Sequence, residues 1–340
     1  YKDMIQQVKD GVNLLNANNP AIDGDLFYDG DINKWKKFGG SLLLRIGMRL
    51  SEVAPDLAKQ TVADAVTIGV MSQPEDICLL RHDGSGKNAF KNPLSFRYLD
   101  DNFIESDAVK IGKTFMDYLK KTKDPRIHVY CSLKDGNTEF DKQFGLPNGY
   151  DSHTIADAPS GSFVGLENTS NFNINTILRL DAPTIFLMPS ETKLLLAEAV
   201  LRNWTNGNAE VLYKEAITSS MKEQEIAYGT QGKITDEEIE TYLAQNLFST
   251  ANNTEKLQII GEQYWVATFI NGYESYANWR RTGYPKLIPT NYSGSMSPGV
   301  IPTRLPYPTD EYSINRANVD TANQQQGADK VTTHIWWDID

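Results

Sequence analysis

The sequence predicts a mostly α-helical fold with tetratricopeptide-like helix pairs as its scaffold, and three features indicate it. Apolar residues recur at spacings of three and four in several long segments, capping residues precede these segments, and glycines stand where paired helices would cross. Residues 33–67 and 190–221 are the best candidates for such pairs, because each combines an aromatic or leucine-rich first helix with an alanine-bearing second one. Tertiary contacts would stack units this far apart, with long insertions between them.

Composition and charge exclude several classes of protein. The chain has 340 residues, of which 40% are hydrophobic, enough for a sizeable core and too many for a wholly disordered chain. Its 44 acidic and 33 basic residues give a net charge of −11, which argues against a nucleic-acid partner. The sequence contains no apolar run that approaches the roughly 18 residues of a membrane-spanning helix.

The first residue bears on whether the chain is processed, and the cysteines bear on whether it contains a disulfide. It begins at Tyr1, with no methionine and no signal peptide, so we expect a processed chain or a fragment. Cys78 and Cys131 are too few for a disulfide scaffold. They either pair with each other or are both small core residues, and we favour the second alternative.

The first part of the chain predicts three helices. Residues 3–16 repeat apolar side chains on one face, and Asp31 or Asn33 is suited to cap the next helix. Pro55 fits the first turn of a third helix, which would form a hairpin with the second. The second helix has an apolar stripe and three glycines that permit close approach of a neighbouring helix. The stripe is Trp35, Phe38, Leu42, Ile46 and Leu50, and the glycines are Gly39, Gly40 and Gly47.

The middle of the chain predicts loops around one helix. Residues 107–121 return to a helical period that begins at Val109, and Asp124-Pro125 should end that helix or redirect the chain. From about 130 to 180 the sequence is rich in glycine, asparagine, serine, aspartate and proline, with aromatic residues between them. We expect loops and short strands there rather than a packed helical layer.

Helical periodicity returns in the last half. Ser190 is expected to cap a leucine- and alanine-rich helix, which ends before a break at Asn206-Gly207. Thr235 and Glu238 fit a capping box at the start of a later helix. The tail from residue 283 holds several prolines, so it predicts neither a long helix nor a central strand.

The motifs of common catalytic and metal sites fail in their details. Residues 84–89 match a dinucleotide-binding fingerprint, but Pro93 leaves no room for the helix that must follow the glycines. Residues 29–33 resemble the start of a calcium loop, but Lys34 and Gly40 stand where that loop needs glycine and glutamate. The four histidines are scattered singly, without zinc-ligand spacing. We therefore predict no catalytic residue, no metal ligand and no cofactor.

Aromatic side chains in the glycine- and asparagine-rich loops are the candidate ligand-binding residues. Because they have few packing layers to join there, several together would form a stacking platform for a sugar ring or a wall for a peptide. For any single one of them, packing in a small cluster beneath the loops is the alternative. The candidates are Tyr130, Phe140, Phe144, Tyr150 and Phe163.

The last third of the chain carries a family signature. Residues 264–285 run YWVATFINGYESYANWRRTGYP, an aromatic helix followed by a glycine–aromatic–glutamate step and W-R-R-T-G-Y-P. This stretch resembles the signature of the SusD/RagB-like family. Members of that family are nutrient-binding lipoproteins on the surface of Bacteroidetes-type bacteria. Further similar stretches extend the resemblance from about residue 30 to residue 340. They are residues 34–49, 124–126, 195–199, 304–308 and 336–338.

The signature also predicts local structure. Arg280 and Arg281 are better suited than lysine to bidentate pairing with carboxylates or carbonyl groups. Thr282 and Gly283 should end the helix, with Gly283 in a left-handed conformation and Pro285 just beyond it. We expect these residues to be architectural rather than ligand-binding.

The resemblance implies a fold and a function. The chain would form one SusD-like domain without the family's N-terminal part, with helical scaffold at 1–71 and 190–282 and loop-rich portions at 72–180 and 283–340. An N-terminal lipid anchor, absent from this chain, would hold the protein on the extracellular face of the outer membrane. There it would capture oligosaccharides or oligopeptides without catalysis and deliver them to a SusC-type TonB-dependent transporter.

Two other functions stay open at this point. The first is a glycoside hydrolase on an α-rich scaffold. The two catalytic carboxylates of such an enzyme stand far apart in sequence, so no local motif could exclude it. The second is a helical-repeat adaptor that binds a protein partner along a concave face. The sequence does not decide between a glycan and a peptide ligand.

Overall fold

Helices dominate the structure, and the predicted mostly α-helical fold class is confirmed. The computed structural model describes residues 1–16, 18, 22–100, 110–150, 153–248, 250–290 and 294–338. The helices are α1 (Lys2–Leu14), α2 (Ile32–Arg49), α3 (Pro55–Ile68), α4 (Pro93–Asp100), α5 (Lys113–Thr122), α6 (Ile127–Tyr130), α7 (Pro189–Leu201), α8 (Ala209–Tyr228), α9 (Asp236–Gln245), α10 (Asn253–Ala267), α11 (Gly272–Thr282), α12 (Thr309–Ile314) and α13 (Arg316–Gln326). The strands are β1 (Cys78–Leu80), β2 (Cys131–Ser132), β3 (Asn171–Phe172) and β4 (Thr184–Leu187).

Two helix pairs form the predicted scaffold. Helix α2 packs along α3 and α7 packs along α8, and contact between α2 and α7 joins the two pairs. Helix α10 then packs against both α7 and α11. Leucines from both pairs, such as Leu43 and Leu194, are fully buried in the main core, and each contributes roughly 1.5–3 kcal/mol through burial.

The glycines of α2 allow the close helix approach that the sequence predicts. A Cβ atom on Gly40 would lie 2.1 Å from the carbonyl oxygen of Gly69, and one on Gly47 would lie 2.9 Å from the side chain of Thr61. A Cβ atom on Gly39 would lie 2.3 Å from a valine methyl of α1. Non-bonded atoms do not approach so closely, so any larger residue would push the helices apart.

Three of the predicted helix starts are confirmed. The Asp31 carboxylate accepts the backbone N–H groups of Asn33 and Lys34, which confirms it as the N-cap of α2. Pro55 occupies the first turn of α3, as expected. The capping box before α9 is also confirmed, since the side chains of Thr235 and Glu238 each accept the other residue's backbone N–H.

Ser190 does not cap α7, contrary to the prediction. Helix α7 begins at Pro189, and Met188 takes the N-cap position. Ser190 lies inside the first turn, where its backbone N–H and its hydroxyl donate to the two carboxylate oxygens of Glu223 at 2.8 and 2.6 Å. Ser190 therefore hydrogen-bonds a buried carboxylate of α8 instead of capping the start of α7.

The described residues between about 130 and 180 form loops, single 3-10 turns and the short strands β2 and β3, as predicted. Strands β1 and β4 pair antiparallel, and so do β2 and β3. Helix α5 begins at Lys113, and positions 107–109 of the expected helix lie outside the described residues. Residues 84–86 form a turn after Asp83, a single 3-10 turn follows at Asn88–Phe90, and α4 begins only at Pro93, so no α-helix follows the glycines directly.

The remaining sequence expectations concern cysteines and helix length. Cys78 and Cys131 are both buried and free, so the core alternative is confirmed. Within the described ranges, every helix is too short or too polar to cross a membrane.

Replacing Gly40 by alanine tests the close contact between α2 and the end of α3. We expect the free energy of unfolding to fall by about 1–3 kcal/mol, because the clashing atom is a backbone oxygen that cannot rotate away. Chemical denaturation measures the change. Gly11→Ala in α1 is the matched control, since a Cβ there meets nothing within 4 Å, and it should be neutral or stabilising. Equal stability of Gly40→Ala and the wild type would contradict the close approach.

The buried carboxyl of Glu223 should make stability fall as pH rises. Burial raises the pKa of Glu223 to about 7, although the hydrogen bonds from Ser190 oppose this change. Below the ordinary carboxyl pKa of about 4.3 both states are protonated, whereas up to about pH 7 only the unfolded state has lost the proton. This group therefore removes up to about 3 kcal/mol of stability between pH 4 and pH 8.

The Glu223→Gln variant isolates this contribution, because the amide does not titrate. Denaturation at pH 5 and pH 8 should show a smaller loss of stability in the variant than in the wild type. The same loss in both proteins would show that Glu223 ionises at its ordinary pKa.

Candidate functional site

Buried ion pairs connect four helices beneath the candidate site. Arg45 of α2 donates from Nε and Nη2 to the two carboxylate oxygens of Glu191 in α7, at 2.5 and 2.7 Å. Arg49, one turn further along α2, pairs with Glu274 of α11. The hydroxyl of Tyr264 in α10 lies 2.9 Å from an oxygen of each of these two carboxylates. Two guanidinium groups and two carboxylates therefore balance in charge at the junction of α2, α7, α10 and α11.

A second buried pair confirms the architectural role expected for Arg281. Its Nη1 and Nη2 atoms donate to the two carboxylate oxygens of Glu198 in α7, at 2.6 and 2.7 Å. Burial raises the pKa of Glu198, but the charges of Arg281 and Arg202 more than offset this effect and lower the pKa overall. The helix then ends at Thr282, and Gly283 is left-handed with a φ of 68°, as predicted.

A cleft of about 800 Å³, which we call the aromatic cleft, opens beside the first ion-pair cluster. Its walls include the start of α4 with the preceding asparagine (92–94), strand β4 with the preceding proline (183–186), and the end of the α10–α11 turn with the first residues of α11 (270–273). Arg45 reaches the cleft and donates to the carbonyl oxygen of Phe186 at 3.0 Å. The cleft thus joins residues from three distant parts of the sequence.

Exposed aromatic rings line this cleft. Tyr273 is 92% exposed and Phe186 is 43% exposed, and an edge contact with Phe27 at 5.4 Å supports the Phe186 ring. Within the described part of the chain, the Tyr273 hydroxyl and the Nδ2 group of Asn271 make no hydrogen bond. The cleft therefore offers apolar ring surface together with hydrogen-bonding groups, which suits a ligand that has apolar faces and a polar edge.

The comparisons with known proteins identify the family. A family model described as "Starch-binding associating with outer membrane" matches residues 1–308. This chain belongs to the SusD-like family. The resemblance that the signature suggested is therefore confirmed, and the family is one described as associating with the outer membrane.

Solved structures of SusD-like proteins share the whole fold. A chitin-binding protein is 30% identical with a TM-score of 0.81, and the match covers 100% of this chain and 72% of that one. A SusD-like protein from Bacteroidetes is 25% identical with a TM-score of 0.83, over 100% and 76% of the two chains. A chitin-binding SusD homologue from Flavobacterium johnsoniae is 24% identical with a TM-score of 0.80, over 100% and 72%. No curated protein matches the chain.

The five loop aromatics predicted from the sequence do not form one platform in this SusD-like protein. No ring contact between described residues joins any two of them. Tyr130 is only 2% exposed and packs against Phe115 and Phe269 in the core. Its ring is therefore buried among core side chains, and a ligand contact by Tyr130 stays a prediction that these contacts do not favour.

The other four predicted residues lie nearer the surface. Phe144 is 39% exposed, and the ammonium group of Lys120 lies 4.1 Å from its ring centroid. Phe140 is half-buried against the main core and lines a groove separate from the aromatic cleft. Tyr150 and Phe163 are half-buried on the loops. None of the four lines the aromatic cleft.

Tyr273 and Phe186 were not predicted from the sequence. Tyr273 is the aromatic residue of the glycine–aromatic–glutamate step in the family signature, and no ligand role was expected for it. The signal was present, because Asn271 caps α11 and so fixes Tyr273 in the first turn, beyond the buried face of α10. Phe186 precedes the buried Leu187, and alternation along a strand places such neighbours on opposite faces.

Removing the Tyr264 hydroxyl tests the ion-pair cluster beneath the cleft. We expect Tyr264→Phe to lower the free energy of unfolding by about 1–3 kcal/mol, because it deletes the donor between two buried carboxylates without changing the ring. Thermal and chemical denaturation measure the loss. Tyr213→Phe is the matched control, since Tyr213 is also buried but its hydroxyl makes no hydrogen bond to another described residue. Equal effects of both changes would contradict the role of Tyr264.

Proposed function

We propose that this SusD-like protein is a non-catalytic binding protein that captures an oligosaccharide in the aromatic cleft. The observation that carries the proposal is the presence of two exposed rings, Phe186 and Tyr273, in one cleft of about 800 Å³. The similarity to a chitin-binding protein that is 30% identical supports a glycan rather than a peptide as the ligand of this cleft.

The charge of the cleft favours an uncharged polymer. Of the described residues that line it, Arg45 alone carries a charge, and Glu191 pairs with both Nε and Nη2 of that side chain. An anionic sugar would lose its hydration here without gaining a free cation. The cleft is open to solvent. We therefore expect modest affinity in which the rings supply much of the contact energy.

Delivery to a SusC-type TonB-dependent transporter is the second part of the proposal. The family description supports an association with the outer membrane. We propose that a lipid anchor holds the protein on the extracellular face, where the helix pairs present the cleft to the transporter. Co-purification of the tagged protein with a TonB-dependent transporter from solubilised outer membranes tests this part, and repeated recovery without one would oppose it.

Replacing Tyr273 by alanine tests the glycan site directly. We expect roughly fivefold to twentyfold weaker binding of a chitin or malto-oligosaccharide in calorimetry, because one stacking ring is lost. The fold should persist, since the side chain is 92% exposed. Phe144→Ala, which removes an exposed ring outside the cleft, is the matched control and should bind normally.

Two results would contradict the proposed function. Weaker binding in Phe144→Ala with normal binding in Tyr273→Ala would move the ligand to the loop aromatics. Product analysis of the same samples tests the absence of catalysis, and sugar fragments that accumulate with time would favour the glycoside hydrolase instead.

A further inference from the structure

Another cavity, of about 540 Å³, lies where α11 meets α10 and the end of α7. Residues 278–284 of the family signature line it, so we call it the signature pocket. Thr303 and two residues of the C-terminal segment, His334 and Asp338, complete its wall. It shares no lining residue with the aromatic cleft.

Positive charge exceeds negative charge among the residues that line the signature pocket. Four of them are lysine or arginine and three are aspartate or glutamate, and a histidine adds charge only when it is protonated. The four cations are Arg202, Arg280, Arg281 and Lys286, the three anions are Glu52, Glu198 and Asp338, and the histidine is His334.

Ion pairs neutralise only two of the four cations. Arg281 and Arg202 both bind Glu198, and Arg202 also binds Glu52 at 2.5 Å. These two arginines therefore balance two glutamates. Among the lining residues, Asp338 is left as the counter-charge for both remaining cations, and its Oδ1 atom lies 3.2 Å from Nδ1 of His334.

Arg280, the first remaining cation, lacks a full set of partners. Its Nη1 atom donates to the carbonyl oxygen of Thr303 at 2.8 Å, and its guanidinium carbon lies 4.3 and 4.5 Å from the ring centroids of Tyr276 and Trp337. Its Nε atom is buried without a hydrogen-bond partner in the described part of the chain. Burial lowers the pKa of Arg280, and the charge of Asp338 does not fully offset this effect. The guanidinium group is therefore short of negative charge.

Lys286, the second remaining cation, is held at the pocket by an aromatic ring. Its Nζ atom lies 4.7 Å from the ring centroid of Tyr284, and it forms neither a hydrogen bond nor an ion pair with any described residue. Tyr284 packs closely on α10, since a Cβ atom on Gly261 would lie 2.5 Å from the Cβ atom of Tyr284. The ammonium group would lie 3.2 Å from a Cβ atom on Gly283, which is three residues after Arg280. The carbonyl groups at this helix end help to hold the cation there.

The rest of the signature pocket offers apolar surface. Leu257 and Ile260 of α10 and Trp279 of α11 line it. A cavity of several hundred Å³ with apolar walls and a few convergent polar groups is typical of a small-molecule site. An inorganic anion would leave these apolar walls without a contact, so an organic anion fits the pocket better.

We propose that the signature pocket binds a small organic carboxylate with an apolar body. The carboxylate would pair with the guanidinium group of Arg280 and the ammonium group of Lys286, and so supply the missing counter-charge. The apolar body would pack against Ile260 and Trp279. An architectural role was expected for Arg280 from the sequence, and this proposal adds a ligand contact to it. The site is independent of the glycan cleft.

The test uses phenylacetate as its probe, with calorimetry as the measurement. Phenylacetate should bind at least roughly fivefold more tightly than the neutral phenylacetamide, because the amide forms no ion pair. It should bind at least roughly tenfold more tightly than acetate, which lacks the apolar body. Lys286→Gln should weaken binding of phenylacetate roughly two- to fivefold and leave that of phenylacetamide unchanged. The fold should persist in this variant, since Lys286 is exposed.

Lys330→Gln is the matched control, because it removes the same charge from an exposed lysine that does not line the pocket. It should leave binding of phenylacetate unchanged. The proposal is overturned if phenylacetate and phenylacetamide bind equally, if neither binds, or if Lys330→Gln weakens binding as much as Lys286→Gln does. Tyr273→Ala should bind phenylacetate as the wild type does, which keeps this test separate from that of the aromatic cleft.

Discussion

Buried ion pairs between distant parts of the sequence determine how the helices of this SusD-like protein meet. Arg45 and Glu191 are 146 residues apart in the chain, and Arg281 and Glu198 are 83 residues apart. A buried charge is strongly destabilising unless its partner has good geometry, so these pairs tolerate few arrangements of α2, α7 and α11. Because Arg45 also binds the carbonyl of Phe186, the same cluster positions one wall of the aromatic cleft.

The sequence predicts the scaffold well because its signals are local. Periodicity, the Asp31 cap and the left-handed Gly283 each depend on neighbours within a few residues, and the structure has all of them. Ser190 was misassigned because its partner, Glu223, lies 33 residues away on another helix. Local sequence cannot reveal that a capping residue type has been recruited by tertiary contact.

The candidate site is less predictable, for a related physical reason. Whether an aromatic ring is a ligand surface depends on which of its faces the fold covers, and that is a property of packing. Tyr130 stands at the edge of a loop-rich segment, yet Phe269 from the α10–α11 turn covers it. Tyr273 stands in an aromatic-rich helical segment, yet nearly all of its surface is exposed. The family signature therefore identified the scaffold, but its aromatic character alone did not distinguish the exposed ring of Tyr273 from the buried rings beside it.

A crystal structure of the protein with a chitin oligosaccharide would show directly whether the aromatic cleft is the glycan site. We expect sugar rings against Tyr273 and Phe186, with Arg45 still paired to Glu191. A sugar bound instead at Phe144, Tyr150 or Phe163, with the aromatic cleft empty, would contradict it.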